Sequence, residues 1–219
     1  MTSLAHGFAV VEHCCSQAEC NAIASDLEAI TNAGTRCLLD CDWCQSLSTT
    51  LKNRLALTIP EIVPLVAVQC TFFNKSATNN WLVAYHQDRS IPVAPSESSK
   101  DYPGWSQKEG RTFIHGPDEL LAAMIAIRLH VDNSTKDNGP LRVIPGSHRL
   151  GSLSPQQIER LRHSSDENQL TVGAGGIIAM RPLLLHASSK SRTMSNRRVL
   201  HFLFGPTELP AGLEWRRAV

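Results

Sequence analysis

The chain changes texture near its first third. Residues 16–33 (SQAECNAIASDLEAITNA) read as a helix, with Ser16 as cap, Glu19 completing a capping box and Gly34 as the stop. Residues 40–57 (DCDWCQSLSTTLKNRLAL) read as a second helix, ended by Pro60. After Pro64 come short apolar or alternating runs broken by Gly, Pro and Asn: 65–74, 81–87, 124–132, 141–144, 170–172, 176–180, 183–186 and 197–204. Short strands at that spacing predict an antiparallel barrel or jelly roll. Asn138-Gly139 and Pro145-Gly146 supply turns, and a short helix at 154–163 interrupts the strands. The expected fold is mainly β with flanking helices. It forms a single domain over 1–219, helical over about 1–64 with its β core over about 65–205. Residues 89–117, with Pro92, Pro95, Tyr102 and Trp105, read as an irregular lid-like loop.

Composition narrows the possibilities. Lys+Arg is 21 against 20 for Asp+Glu, a net charge of +1, which argues against a nucleic-acid partner bound by bulk charge. A hydrophobic content of 42% excludes a disordered chain. No apolar run approaches the roughly 18 residues a membrane span needs, and the first residues carry no basic segment ahead of an apolar one. The seven cysteines are odd in number and all lie between Cys14 and Cys70, unlike a disulfide framework. A reducing, cytoplasmic setting is expected. Cys37-x3-Cys41-x2-Cys44 has no His/Cys pair following at zinc-finger spacing, so free thiols are expected there.

Histidines carry the candidate chemistry. Tyr85-His86-Gln87-Asp88 closes a predicted strand, and positions i and i+2 share a strand face. His86 and Asp88 therefore present an imidazole and a carboxylate side by side. One more histidine makes a 2-His-1-carboxylate face, which leaves about three positions open on an octahedral Fe(II). His130-x-Asp132 offers the same pair on another strand, together with Arg128, and spacing alone does not choose between them. His186, His201 and His148 are the candidates for the third ligand. Of Arg197 and Arg198, opening the last strand, only one can face inward, where it needs an anionic partner.

Four ordered segments resemble the phytanoyl-CoA dioxygenase family of Fe(II)/2-oxoglutarate oxygenases. They are Phe73-Asn-Lys75 ahead of Tyr85-His-Gln-Asp88; Arg128-Leu-His-Val-Asp132 leading into Asn138-Gly-Pro-Leu-Arg-Val-Ile-Pro-Gly-Ser-His148; Arg181-Pro-Leu-Leu-Leu-His-Ala-Ser188; and Arg197-Arg-Val-Leu-His201. The resemblance covers about residues 65–205 and implies a double-stranded β-helix, the cupin-like jelly roll. It implies Fe(II) held by His86, Asp88 and His186, with 2-oxoglutarate and O2 as cosubstrates and ascorbate helpful in vitro. It places the cosubstrate-anchoring arginine eleven residues after the distal histidine, at Arg197, and Ser188 beside the same carboxylate. Gln69 and Thr71 fall at inward positions where they touch the cosubstrate. The His130/Asp132 strand becomes a structural or substrate-facing one. Tyr85 stands where many relatives carry Trp.

The implied reaction couples decarboxylation of 2-oxoglutarate to succinate and CO2 with oxidation, usually hydroxylation, of a substrate. Trp105, Arg111, Arg128, His130 and Gln87 are the candidate substrate wall. Their polarity points to an amino-acid derivative or natural-product intermediate. A catalytically silent binding module of the same fold and a cupin-like isomerase or hydrolase using another metal are the alternatives.

Overall fold

In the computed structural model, which describes residues 4–30, 34–76, 78–210 and 212–219, the chain forms thirteen strands and four α-helices. They are β1 Phe8–Val11, α1 Gln17–Asp26, β2 Gly34–Thr35, α2 Asp42–Leu55, β3 Leu65–Lys75, β4 Val83–His86, β5 Ser90–Val93, β6 Ser106–Lys108 and β7 Arg111–His115. Then follow α3 Asp118–Ala123, β8 Ile125–His130, β9 Leu141–Val143, α4 Pro155–Ser164, β10 Asn168–Leu170, β11 Ile177–Met180, β12 His186–Ser188 and β13 Arg197–Pro206.

A six-stranded sheet, β1-β11-β8-β13-β3-β2, faces a four-stranded one, β10-β9-β12-β4. This is the jelly roll that the strand spacing predicted. Period-2 alternation divides the larger sheet. Ile125, Ile127 and Leu129 of β8 join Leu200, Phe202 and Phe204 of β13 on the outer face, packed against Cys20, Ile23, Leu51 and Leu55 of the two helices. Burying each phenylalanine contributes about 1.5–3 kcal/mol. The inner face sends Ala126, Val68 and Leu203 against Leu141, Val143 and Leu184 of the facing layer.

One irregularity matters for the site. Along the β13–β3 pairing, Leu203 opposes Gln69 and Phe204 opposes Ala67, so Val68 is an extra residue. This bulge lets Val68 and Gln69 both turn inward. Beyond it Gln69, Thr71, Phe73 and Lys75 all line the inner cavity.

Several expectations are corrected. α1 has the Ser16/Glu19 capping box but stops at Asp26, and residues 31–33 of the expected span lie outside those described. The apolar triplet Leu183–Leu185 is a buried turn, and the strand begins at His186. Segment 89–117 is not an irregular lid. It contains a three-stranded antiparallel sheet, β5-β7-β6, burying Ile91, Val93, Phe113 and Ile114. Pro92 is accommodated because β5 is an edge strand. Glu109 (φ 51°) and Gly110 (φ 70°) form the two-residue hairpin turn between Lys108 and Arg111. β1, an edge partner of β11, was not expected. All seven cysteines are free, and no described helix is long and apolar enough to cross a membrane.

Two glycines with similar dihedrals test the packing. A Cβ at Gly139 (φ 72°) meets the Ser189 carbonyl oxygen at 2.3 Å, whereas one at Gly110 meets nothing within 4 Å. Gly110→Ala is expected to cost only the left-handed backbone term of about 1–2 kcal/mol. Gly139→Ala is expected to cost at least twice that. Thermal unfolding checks this at about 2–4 °C per kcal/mol, and equal losses would refute the close-approach account.

Candidate metal centre and cosubstrate pocket

A cavity of about 630 Å³ opens between the sheets, and the predicted ligands meet in it. β4 and β12 pair so that His86 and His186 stand directly opposite, their ring centroids 4.2 Å apart. Asp88 follows two residues after β4, its backbone N–H bonded to the Pro182 carbonyl at 2.9 Å. One oxygen of Asp88 lies 3.6 Å from His86 Nε2, and the other lies 3.6 Å from His186 Nε2. Ligating atoms of all three fall within 4.8 Å of one another.

The ring tautomers suit this role. His86 Nδ1 lies 2.9 Å from the Ala84 carbonyl oxygen, and His186 Nδ1 lies 2.8 Å from that of Leu184. A carbonyl only accepts, so each Nδ1 donates and each Nε2 presents a lone pair to the cavity. Burial opposes ionisation of Asp88, but His186, His86 and His201 around it outweigh that and hold its carboxyl well below the usual range. Burial pushes His186 down to about 4 despite Asp88. Two bare imidazole nitrogens and one ionised carboxylate fit a facial Fe(II) site.

The same cavity holds buried cations. Arg197 is 4% exposed, with Nη2 3.4 Å from Ser188 Oγ, and burial lowers it to about 10. Lys75 is 1% exposed and donates to Ser188 Oγ at 2.9 Å and to the Ser189 carbonyl at 2.6 Å. Burial first, then Arg197 and Arg128, push it down to about 7. Ser188 Oγ donates onward to the Gly139 carbonyl. Gln69 Nε2 donates to Thr71 Oγ1 at 2.9 Å, and both side chains line the cavity. Arg128, buried, donates to His201 Nδ1 at 2.9 Å.

Sequence reasoning assigned no role to Lys75 and offered His201 only as an alternative third ligand, although parity marks both as inward. Lys75 continues the inward series from Gln69 and Thr71, and His201 lies four residues beyond Arg197 on the same face. The rival metal pair dissolves for a related reason. β8 ends at His130, so alternation no longer governs Asp132, which turns outward and receives three hydrogen bonds of 2.8–2.9 Å from Arg198. His130 is fully buried, with neither ring nitrogen partnered among the described residues, and does not line the cavity.

The expected substrate wall is mostly displaced. Trp105 is 43% exposed and does not line the cavity. Arg111 pairs with Asp40 at 3.0 Å, outside it. Gln87 reaches the cavity, but its amide bonds the Gly151 and Leu183 carbonyls and the Leu153 N–H, so it fastens loops. Arg128 alone of the five turns a charged head into the cavity, where it donates to His201. In their place stand Arg36, Trp81, Lys108 and Phe113. Tyr85 borders the cavity, packs with Ile144, Leu153 and Leu185, and bonds Glu167 through its hydroxyl.

A double-layered jelly roll with a His-x-Asp pair and a distal histidine converging in its cavity defines the class of non-haem iron, 2-oxoglutarate-dependent oxygenase scaffolds. The chain belongs to the phytanoyl-CoA dioxygenase (PhyH) family, whose model matches residues 4–199. It is 28% identical to L-proline trans-4-hydroxylase of Streptomyces griseoviridis over a 123-residue alignment covering 44% of this chain and 46% of the relative. It thus spans about half the length of that curated relative. Among solved structures, HygX of Streptomyces hygroscopicus with iron bound has a TM-score of 0.62 at 17% identity, covering 93% of this chain and 83% of that one. HygX has also been solved with nickel, 2-oxoglutarate and hygromycin B. SnoK, a non-haem α-ketoglutarate-dependent carbocyclase from nogalamycin biosynthesis, has a TM-score of 0.68 at 13% identity, covering 97% and 83% of the two chains. These likenesses establish the shared fold.

Calorimetric titration with Co(II) separates the two candidate carboxylates. Asp88→Asn is expected to abolish binding. Asp132→Asn is expected to bind normally while losing about 1–2 kcal/mol of stability from the Arg198 pair. The reverse pattern would move the metal centre to the other strand.

Proposed function

We propose that the protein is an Fe(II)- and 2-oxoglutarate-dependent dioxygenase that hydroxylates a small, polar, anion-bearing molecule and releases succinate and CO2. The observation that carries this reading is one cavity with two halves. On one side, two imidazole lone pairs and an ionised carboxylate converge. On the other, Lys75 and Arg197 are buried with no carboxylate partner among the described residues.

His86, Asp88 and His186 hold the iron, which when bound supplies O2 activation and the oxidising power for C–H cleavage. Arg197, Lys75 and Ser188 hold the distal carboxylate of 2-oxoglutarate, a dianion that answers the buried charges. Gln69 already donates to Thr71 Oγ1, so the threonine hydroxyl proton stays available to the cosubstrate.

Substrate enters past Trp81, Phe113 and Lys108. The Lys108 ammonium lies 3.2 Å from Ser90 Oγ and 5.1 Å from the Phe113 ring centroid, with no acidic partner among the described residues. Arg36, also lining the cavity, pairs with Glu109. Asp88 is the only carboxylate among the cavity residues, so a carboxylate or phosphate on the substrate suits this mouth. The likeness to an amino-acid hydroxylase and to HygX supports an amino-acid derivative or natural-product intermediate. A cytoplasmic, single-domain enzyme remains the reading of location and organisation.

Succinate release across a metabolite panel, with Fe(II), ascorbate and O2, tests the proposal. Anionic members are expected to stimulate turnover and their neutral analogues are not, with His86→Ala and Asp88→Ala at background. Full activity in either variant would sink the assignment.

The anchor makes a separate prediction, read as 2-oxoglutarate affinity. Arg197→Ala weakens it strongly and Arg198→Ala does not. Lys75, lowered to about 7 beside Arg197 and Arg128, is charged below that pH and must take up a proton to meet the anion above it. Affinity therefore falls by about tenfold per pH unit as pH rises from 7 to 9. Lys75→Met is expected to lose this slope. An unchanged slope in that variant would remove Lys75 from the carboxylate site.

A further inference from the structure

Three imidazoles surround Asp88, not two. His201 Nε2 lies 3.6 Å from Asp88 Oδ2, the distance that His186 Nε2 keeps from the same oxygen. His201 nevertheless lies outside the set of ligating atoms, all within 4.8 Å of one another, that His86, Asp88 and His186 form. Its second nitrogen gives it a different task.

His201 Nδ1 lies 2.9 Å from Arg128 Nη1. A guanidinium keeps its protons and has no lone pair to offer, so it only donates. Nδ1 must accept, and the single proton of the neutral ring is on Nε2. His86 and His186 have the opposite arrangement, because backbone carbonyls at their Nδ1 atoms require a proton there. Two lone pairs and one N–H thus face the carboxylate. Arg128 is itself held in place, with its guanidinium carbon 5.5 Å from the Phe73 ring centroid.

We propose that Arg128 and His201 form a positioning device for the metal ligand Asp88: Arg128 fixes the His201 tautomer, and His201 Nε2–H holds one carboxylate oxygen. This has two consequences. The third imidazole is kept out of coordination. With one oxygen held by His201, Asp88 would offer a bound metal its other oxygen, which would leave open positions for a chelating cosubstrate and O2. At 3.6 Å the His201 contact is longer than a formed hydrogen bond, so the device requires it to shorten when the site is loaded.

The inference rests on the metal-centre reading, and the tests separate the two. Long-range ¹H–¹⁵N correlation on the Zn(II)-loaded wild-type protein reads tautomers without any substitution. It is expected to show Nδ1–H for His86 and His186 and Nε2–H for His201. An Nδ1–H or metal-bound His201 overturns the device.

Co(II) titration then measures its effect. His201→Phe is expected to raise the Kd by about 10–100-fold and to change the Co(II) ligand-field spectrum. His201→Gln, which again offers one acceptor and one donor, is expected to restore both toward wild type, a rescue that a purely packing role would not give. Arg128→Met combined with His201→Phe is expected to bind no more weakly than His201→Phe alone, since both remove one unit. Wild-type affinity in folded His201→Phe, or no rescue by glutamine, refutes the inference. Failure of the wild-type protein to bind Co(II) or Zn(II) refutes the metal centre itself, and the device with it.

Discussion

Three cations, Lys75, Arg128 and Arg197, are buried on the inner face of one sheet, and only Asp88 among the cavity residues is acidic. Each arginine lowers the basicity of its neighbours, and burial lowers all three. A lysine whose folded-state pKa is about 7 resists charge in the folded protein, and keeping it charged below that pH costs a few kcal/mol. A protein retains such a cluster when an anion completes it. The cavity is therefore half of an ion-pair arrangement, and 2-oxoglutarate, a dianion able to reach both the anchor and the metal, has the chemistry of the other half. The same excess at the mouth, where Lys108 has no acidic partner among the described residues, extends the argument to the substrate.

The fold makes this burial possible through two devices of backbone geometry. Alternation along β3, β8 and β13 sends apolar side chains outward to α1 and α2 and polar ones into the cavity. The helices give the sheet's outer face its hydrophobic cover, leaving the inner face for chemistry. The bulge at Val68 then corrects the register, so that Val68 fills the intersheet core while Gln69, Thr71 and Lys75 face the site. If the same residues ran in regular alternation with no bulge at Val68, the stretch from Gln69 onward would present its other face, and Cys70 and Phe72 would enter the cavity in their place.

Much of this was legible in the sequence, and the failures share a cause. His86, Asp88 and His186 came from the His-x-Asp tripeptide and the ordered family segments, and Arg197 was separated from Arg198 by the family spacing. Strand parity, followed two steps further, reaches Lys75 from Thr71 and His201 from Arg197. Parity misled at Asp132 because a strand's end is not marked in its alternation: β8 stops at His130, and the next carboxylate belongs to the rim pair with Arg198. Segment 89–117 was misread because Pro92 and Lys108-Glu109-Gly110 look like loop chemistry. A proline on an edge strand and a left-handed two-residue turn are equally the chemistry of a hairpin sheet. Arg111 and Trp105 were assigned to the substrate on residue type alone. Their partners, Asp40 and solvent, are set by tertiary contacts that no local pattern carries.

Residue type is an even weaker guide at the metal centre. His86, His186 and His201 are chemically identical in the sequence and equally distant from Asp88. His201 stands outside the cluster of mutually close ligating atoms that the other two form with Asp88, and the atom behind its ring differs as well. A carbonyl behind the ring leaves Nε2 with a lone pair, and a guanidinium behind it leaves Nε2 with the proton. For His86 and His186 the carbonyl belongs to the residue two positions earlier, Ala84 and Leu184, so local backbone geometry sets both tautomers. For His201 the determinant is Arg128, across a strand pairing in which the two residues are direct partners. In the proposed centre, ligand identity is thus set locally and exclusion of His201 is set by the sheet. The β8–β13 register is consequently as much a part of the centre's chemistry as the three ligands, because a slip of one residue would separate Arg128 from His201 and release the proton that keeps the third imidazole a donor.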